Sequence, residues 1–172
     1  VEADSAPVLE KKMEQTDISV LTIPRHYRED GGRYQSSSII VAQYGKQRNT
    51  SFHRQLLKGP DRTTVRLVPR HLRTMADQAF ENNEDVPIVV VNGPDPLVLL
   101  AAAMSFNEPI DELRVASALH ERLYGAKLGL VEMPNGVQVP AESEYAMEAR
   151  ITTKLDDEGP YVDITGTVDD IR

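Results

Sequence analysis

Three β-rich runs separated by short polar turns govern what this chain can become. They are residues 37–44 (SSIIVAQY), 50–57 (TSFHRQLL) and 63–68 (TTVRLV), divided by GKQRN and KGPDR. Such close spacing predicts an antiparallel meander. A different texture follows. Residues 71–81 have helical composition behind Pro69. Residues 86–91 are a continuous apolar, β-branched run, hence a buried strand that ends at NGPDP. Residues 97–104 are dominated by Ala and Leu, and Asp111 is placed to cap a helix over 112–123. The chain then returns to strands at 127–133, 137–139, 144–151 and 161–167. Upstream, residues 18–23 are β-rich and stop at Pro24, and 25–35 form a polar loop hinged at Gly31 and Gly32. Strands, then helices, then strands predict an α+β domain on an antiparallel sheet or barrel. The specific expectation is a split antiparallel β-barrel of six or more strands, with helices near 70–83, 96–104 and 111–123.

With 172 residues the chain can bury a core of its own. Its formal net charge is −8, which argues against a general nucleic-acid binder, since phosphate neutralisation needs a basic face. The absence of cysteine excludes disulfides, thiolate metal sites and a cysteine nucleophile, and suits a cytoplasmic setting. The longest apolar run, 97–104, is about half of the ~20 residues needed to span a bilayer, so no membrane span is expected.

Four places could carry chemistry. Asn49 and Arg54 bracket a strand start in RNTSFHR, one offering a hard oxygen, the other a fork that grips carboxylate or phosphate. A hairpin asparagine and an exposed strand arginine explain them as well. In VPRHLR, Arg70 and His71 stand where a strand gives way to a helix start, a natural anion site, although a backbone-bonded histidine is the simpler account. Glu112 opens its helix in PIDEL, where a glutamate favourable to the dipole is the plain explanation. Together Asn49, His71 and Glu112 would suit Mn2+ or Mg2+. Glu158 and Asp163 flank a Gly-Pro turn in DDEGPYVDITG. A turn can bring two carboxylates to one site for acid catalysis, and an acidic loop on an acidic protein is the alternative.

Taken in order, these pieces resemble the UbiD-type family of prenylated-FMN-dependent decarboxylases, over roughly residues 34–167. The matching elements are Asn49, Arg54, His71, PIVVVNGPDP, LLAAAM, Glu112, VPAESEYAME and EGPYVDITG. Each match is weak alone; the ordered set is strong. The resemblance implies a flavin-reductase-like, FMN-binding split barrel. It implies a divalent metal, Mn2+ or Mg2+, held by Asn49, His71 and Glu112 beside the flavin phosphate, with K+ as a further cation. It also implies that Ser51, Phe52, His53, Arg54, Arg70 and Met104 line the cofactor, and that Arg54, Glu158 and Asp163 form a carboxylate–arginine–carboxylate triad. Val162 stands where many members have glycine, and residues 43–48 depart from the usual turn. The stretches around residues 24–42 and 158–167 look nearest to the archaeal branch, which includes decarboxylases of trans-anhydromevalonate phosphate.

On this reading residues 1–33 are a lead-in from a missing N-terminal region, 34–172 are the cofactor domain, and a C-terminal domain is absent, so the piece alone is expected to be inactive. The expected function is the cofactor-binding core of a non-oxidative decarboxylase for an α,β-unsaturated or aromatic carboxylic acid, in isoprenoid or quinone biosynthesis. A flavin prenyltransferase would supply the cofactor, and the full-length protein would be a homo-oligomer. Two alternatives stand beside it: a non-catalytic FMN-binding module and a flavin reductase-like oxidoreductase. The five-residue step from Asn49 to Arg54 puts them on opposite faces of a regular strand. Asn49 is therefore expected in the turn, ahead of the regular part.

Overall fold

The computed structural model describes residues 2–3 and 6–169. Contacts divide the chain into two interleaved units. The first comprises Val1–Lys12, Ser38–Phe52 and Val68–Thr153; the second comprises Met13–Ser37, His53–Leu67 and Lys154–Arg172.

The first unit is built on a four-stranded antiparallel sheet. In chain order its strands are β2 (Ile39–Tyr44), β3 (Gln47–Phe52), β6 (Val86–Asn92) and β9 (Tyr145–Ile151), arranged β3-β2-β6-β9. β2 and β3 join through a two-residue turn, with Tyr44 paired to Gln47 and Gly45 at φ 58°, a conformation that glycine adopts without strain. Pro87 lies in β6 yet causes no gap. The β2 ladder runs only from Val91 to Ile88, and Pro87 pairs toward β9 alone.

Helices explain why β2 and β6 are apolar throughout. Ile39, Val41, Val89 and Val91 pack with Val98 and Ala101 of α2 (Pro96–Ala103) and with Leu113 and Ala116 of α3 (Glu112–Tyr124). The alternate residues Ile40, Ala42, Ile88 and Val90 are also buried, on the face where α1 (His71–Glu81) contacts β2, β3 and β6. A strand covered on both faces loses its polar alternation. Asp95 and Asp111 cap α2 and α3 by accepting from the Leu97 and Leu113 amides, and Gly125 ends α3 in the left-handed region. A small hairpin, β7 (Leu130–Glu132) with β8 (Gln138–Pro140), completes the unit.

The second unit holds a three-stranded antiparallel sheet, β1 (Tyr34–Gln35), β4 (Gln55–Leu57) and β5 (Thr63–Val65) in the order β1-β4-β5, and a hairpin of β10 (Tyr161–Val162) with β11 (Val168–Asp169).

The expected mixture of helices and antiparallel strands is present, and all three helices lie where the sequence puts them. The barrel is different: the described strands fall into separate sheets of four, three, two and two, and none closes. The run 50–57 is not one strand but two, broken at His53 and Arg54. Residues 18–23 do not form a strand. Asp17 accepts from the Ser19 amide at 2.9 Å and starts a 3-10 turn, Ile18–Val20, by competing for the backbone as short polar side chains do. The strand expected over 161–167 is instead the hairpin of β10 and β11.

Candidate functional site

The first unit brings Asn49 and Glu112 together. Asn49 lies inside β3, not in the turn ahead of it, with 5% of its surface exposed. What breaks the regular strand is the end of β3 at Phe52. Glu112 sits in the first turn of α3 and is likewise buried. Asn49 Nδ2 donates to Glu112 Oε1 at 3.1 Å, and the Thr50 amide donates to Oε2 at 2.8 Å. Ser51 Oγ donates to Asn49 Oδ1 at 2.8 Å. Burial pushes the Glu112 carboxyl above the usual carboxylate range. The Thr50 amide and the nearby His71 pull it back only in part.

Next to this contact lies a second one that the sequence did not announce. Arg48 Nε and Nη2 grip Asp111 at 3.1 and 2.6 Å, and Arg48 Nη1 donates to Gln138 at 3.0 Å. Neighbouring residues on β3 thus hold neighbouring residues at the start of α3, which fixes where Glu112 stands. His71 is the first residue of α1, half-buried, and Arg70 before it makes no side-chain cap. Among the described residues no three histidine, cysteine or carboxylate side chains gather. A cation at Glu112 and His71 would therefore take its third protein ligand from the Asn49 amide. Two hard oxygens and one imidazole suit Mn2+ or Mg2+, and a buried carboxylate with a raised pKa is what a cation would neutralise. The donor types suit such an ion, with the Asn49 amide oxygen turned toward it. Phe52, Arg70 and Met104 are exposed.

The second unit contains Arg54, Glu158 and Asp163. Arg54 Nε and Nη2 each meet a Glu158 oxygen at 2.9 Å, a two-pronged pair in which Glu158 is 3% exposed. The Arg54 guanidinium lies 4.4 Å from the centre of the Tyr161 ring, and Tyr161 packs edge-on against Tyr34, a fully buried residue. Burial raises the Tyr34 phenol, with the Glu158 charge adding to it. His53 Nδ1 donates to the Arg66 carbonyl at 3.3 Å, and burial holds its imidazole below the usual range.

Residues 158–162 are held by the loop before β1. Asp30, 1% exposed, accepts from the Tyr27 and Val162 amides at 2.8 and 2.9 Å. Gly31 donates to the Pro160 carbonyl at 2.7 Å. A Cβ at Gly31 would come within 2.4 Å of the Gly159 carbonyl oxygen, so only glycine allows this approach. The Gly159–Pro160 peptide is cis.

Asp163 does not hydrogen-bond Arg54 here. Its Oδ1 accepts from the Thr165 amide and hydroxyl at 2.7 and 2.5 Å, and from the Thr167 amide at 3.3 Å. Those bonds, the hydroxyl's first, lower its pKa. The carboxylate that shares Arg54 with Glu158 is Asp169. Its Oδ2 accepts from Arg54 Nη1 and from Arg66 Nη1, both at 2.8 Å. Neither Asp169 nor Arg66 belongs to a motif, and the alternation of TTVRLV was the one hint that Arg66 faces away from its apolar neighbours.

Comparison with known proteins follows the same lines. Residues 1–172 match the UbiD family, described as a 3-octaprenyl-4-hydroxybenzoate carboxy-lyase Rift-related domain. The chain is 41% identical over 162 residues to the anhydromevalonate phosphate decarboxylase of Methanothermobacter thermautotrophicus, covering 92% of this chain and 37% of that protein. It is 38% identical over 170 residues to the enzyme of the same name from Methanosarcina mazei, covering 97% and 39%. The chain thus spans a little over a third of the length of these relatives. Among solved structures, an evolved dimeric form of the UbiD-class enzyme HmfF from Pelotomaculum thermopropionicum, in complex with prFMN, superposes with a TM-score of 0.91. That match is at 32% identity and covers 100% of this chain and 41% of that one. With a match across all 172 residues, the ordered motifs from Asn49 to Gly166 have their explanation: the chain belongs to the UbiD family.

Proposed function

We propose that this chain is the cofactor-binding core of a non-oxidative decarboxylase that uses prenylated FMN on an α,β-unsaturated or aromatic carboxylic acid. The two-pronged pair of Arg54 with buried Glu158 carries the reading. A guanidinium fixed this way presents its remaining N–H groups to a second carboxylate in a set orientation. The named activity of the relatives supports the same class, and an isoprenoid role with an anhydromevalonate phosphate-like substrate goes with it.

Loss of CO2 leaves electron density that no side chain here can accept, and the flavin supplies that sink when bound. The chain's own residues do the rest. Asn49, His71 and Glu112 would hold a divalent cation, Mn2+ or Mg2+ with K+ as a further candidate. Ser51, Phe52, His53, Arg54, Arg70 and Met104 would line the cofactor. Arg54 orients the substrate carboxylate. Glu158 or Asp163 supplies the proton that replaces CO2. For Asp163 that requires leaving Thr165 and Thr167, because its lowered pKa keeps it charged where it stands. The split-barrel description of the fold belongs to this proposal and rests on the family resemblance. A flavin prenyltransferase as cofactor source, a homo-oligomeric full-length protein and a cytoplasmic setting complete it. Among the described residues no helix is long and apolar enough to cross a membrane.

The test is co-expression of the full-length protein with a flavin prenyltransferase, followed by mass spectrometry of the bound cofactor and CO2 release from unsaturated acids. Unmodified FMN alone, with no CO2 release, favours a non-catalytic FMN-binding module. NAD(P)H oxidation without CO2 release favours a reductase.

A further inference from the structure

Asp169 and Arg66 complete the Arg54 cluster although they stand in none of the motifs. One oxygen, Asp169 Oδ2, accepts from two guanidinium groups at 2.8 Å each. The two carboxylates on Arg54 are unequal. Glu158 has 4% of its side chain exposed and meets Arg54 through two oxygens, whereas Asp169 has 31% exposed and meets Arg54 through Oδ2. Of the two, Glu158 is the more deeply buried and Asp169 the more exposed. Asp169 also sits on a two-residue strand, β11, paired among the described residues with β10, and so short a ladder opens at low cost.

We propose that Arg54 and Arg66 form a two-armed carboxylate receptor in which Asp169 is an internal occupant, displaced when a substrate carboxylate binds. The idea rests on the decarboxylase reading and adds Arg66 and Asp169 to it as groups that set substrate affinity. Charge favours exchange over addition. Arg54, Arg66, Glu158 and Asp169 sum to zero formal charge. A third carboxylate added on top would leave the cluster at −1, whereas one that replaces Asp169 keeps it neutral. The geometry favours it too, because an oxygen that satisfies both arginine arms is already a carboxylate oxygen. The arms are two charged donors on separate strands or loops, so a carboxylate bridging them meets a charge-assisted bond from each.

The probe is crotonate, a small unsaturated monocarboxylate, titrated calorimetrically into the intact protein and its variants. Asp169→Asn removes the competing charge at constant size and should tighten crotonate on the order of tenfold, the equivalent of about 1.4 kcal/mol. Arg66→Met should weaken it by on the order of tenfold, as loss of one charge-assisted bond does. Arg66→Lys, which keeps charge and loses the fork, should fall between, and it serves as the comparison if Arg66→Met does not fold. Crotonamide should not respond to Asp169→Asn. Unchanged or weaker crotonate binding in Asp169→Asn, or unchanged binding in both Arg66 variants, overturns the receptor. Binding needs no turnover, which separates the two ideas. Tighter binding in Asp169→Asn with no CO2 release from any acid upholds the receptor and sinks the decarboxylase. CO2 release with affinity indifferent to Asp169 does the reverse.

Discussion

Arg54 and Glu158, 104 positions apart, meet through two bonds of 2.9 Å with Glu158 buried. Breaking this pair from the arginine side should be worse than losing a surface ion pair, because Glu158 would remain buried and unmatched. Arg54→Ala in the full-length, flavin-loaded enzyme should cost several orders of magnitude in kcat with flavin still bound. Arg54→Lys should not rescue it, since an ammonium cannot make both bonds. Steady-state rates together with the flavin absorbance band check both statements.

Asp163→Asn addresses the proton donor. Asparagine keeps the turn, because its side-chain oxygen can still accept from Thr165 and Thr167. If Asp163 leaves those bonds to deliver the proton, the variant should lose orders of magnitude in kcat. A wild-type rate would remove Asp163 from the chemistry and leave Glu158 as the acid. Stopped-flow measurement of CO2 release decides.

If Glu112 holds a cation as proposed, binding of that cation should depend on pH. Its folded-state pKa is raised, so between the ordinary carboxylate value and the raised one the folded protein holds more protons than the unfolded one. Without metal, stability therefore falls as pH rises through that window, and the penalty is fully present above it. Mn2+ must displace the proton, so its affinity should rise over the same window and level off above it. Glu112→Gln should flatten the metal-free stability profile and weaken Mn2+ more than tenfold. Thermal melts with and without Mn2+, at pH 5 and 7.5, test both.

Gly31→Ala should loosen residues 158–162, because the added methyl meets the Gly159 carbonyl at a distance no side-chain carbon tolerates. Overpacking of this kind costs about 1–3 kcal/mol. Hydrogen exchange at Val162, whose amide is bonded to Asp30, should speed up well beyond that of the β2 and β6 amides.

Most of the first unit was readable in the sequence because its signals are local. Asp95 and Asp111 sit at helix starts, Gly125 at a helix end, and the 86–91 run is apolar because helices cover both faces of its sheet. The second unit was poorly readable for the opposite reason. Its strands are two or three residues long, too short to show a period, and its organising bonds join residues far apart in the chain, such as Tyr34 to Pro160. Asn49, Arg54, Glu112 and Glu158 stood out only as an ordered set. Asp169 could not stand out at all, since nothing in TVDD sets it apart from an acidic tail, and Arg48 looked like a turn residue until its partner Asp111 was in view.

Asp30 ties its own loop to Val162, 132 positions further on, and its side chain does so through the main-chain N–H groups of Tyr27 and Val162. A clasp of that kind is indifferent to the side chains at Tyr27 and Val162. Those positions can be retuned, for aromatic contact at one and bulk at the other, without undoing the closure. Asp30 has no such latitude. Asparagine would turn an NH2 group against one of the two donors, and glutamate would overshoot both. The latitude is concentrated at the gripped positions, and the constraint in the one residue that grips.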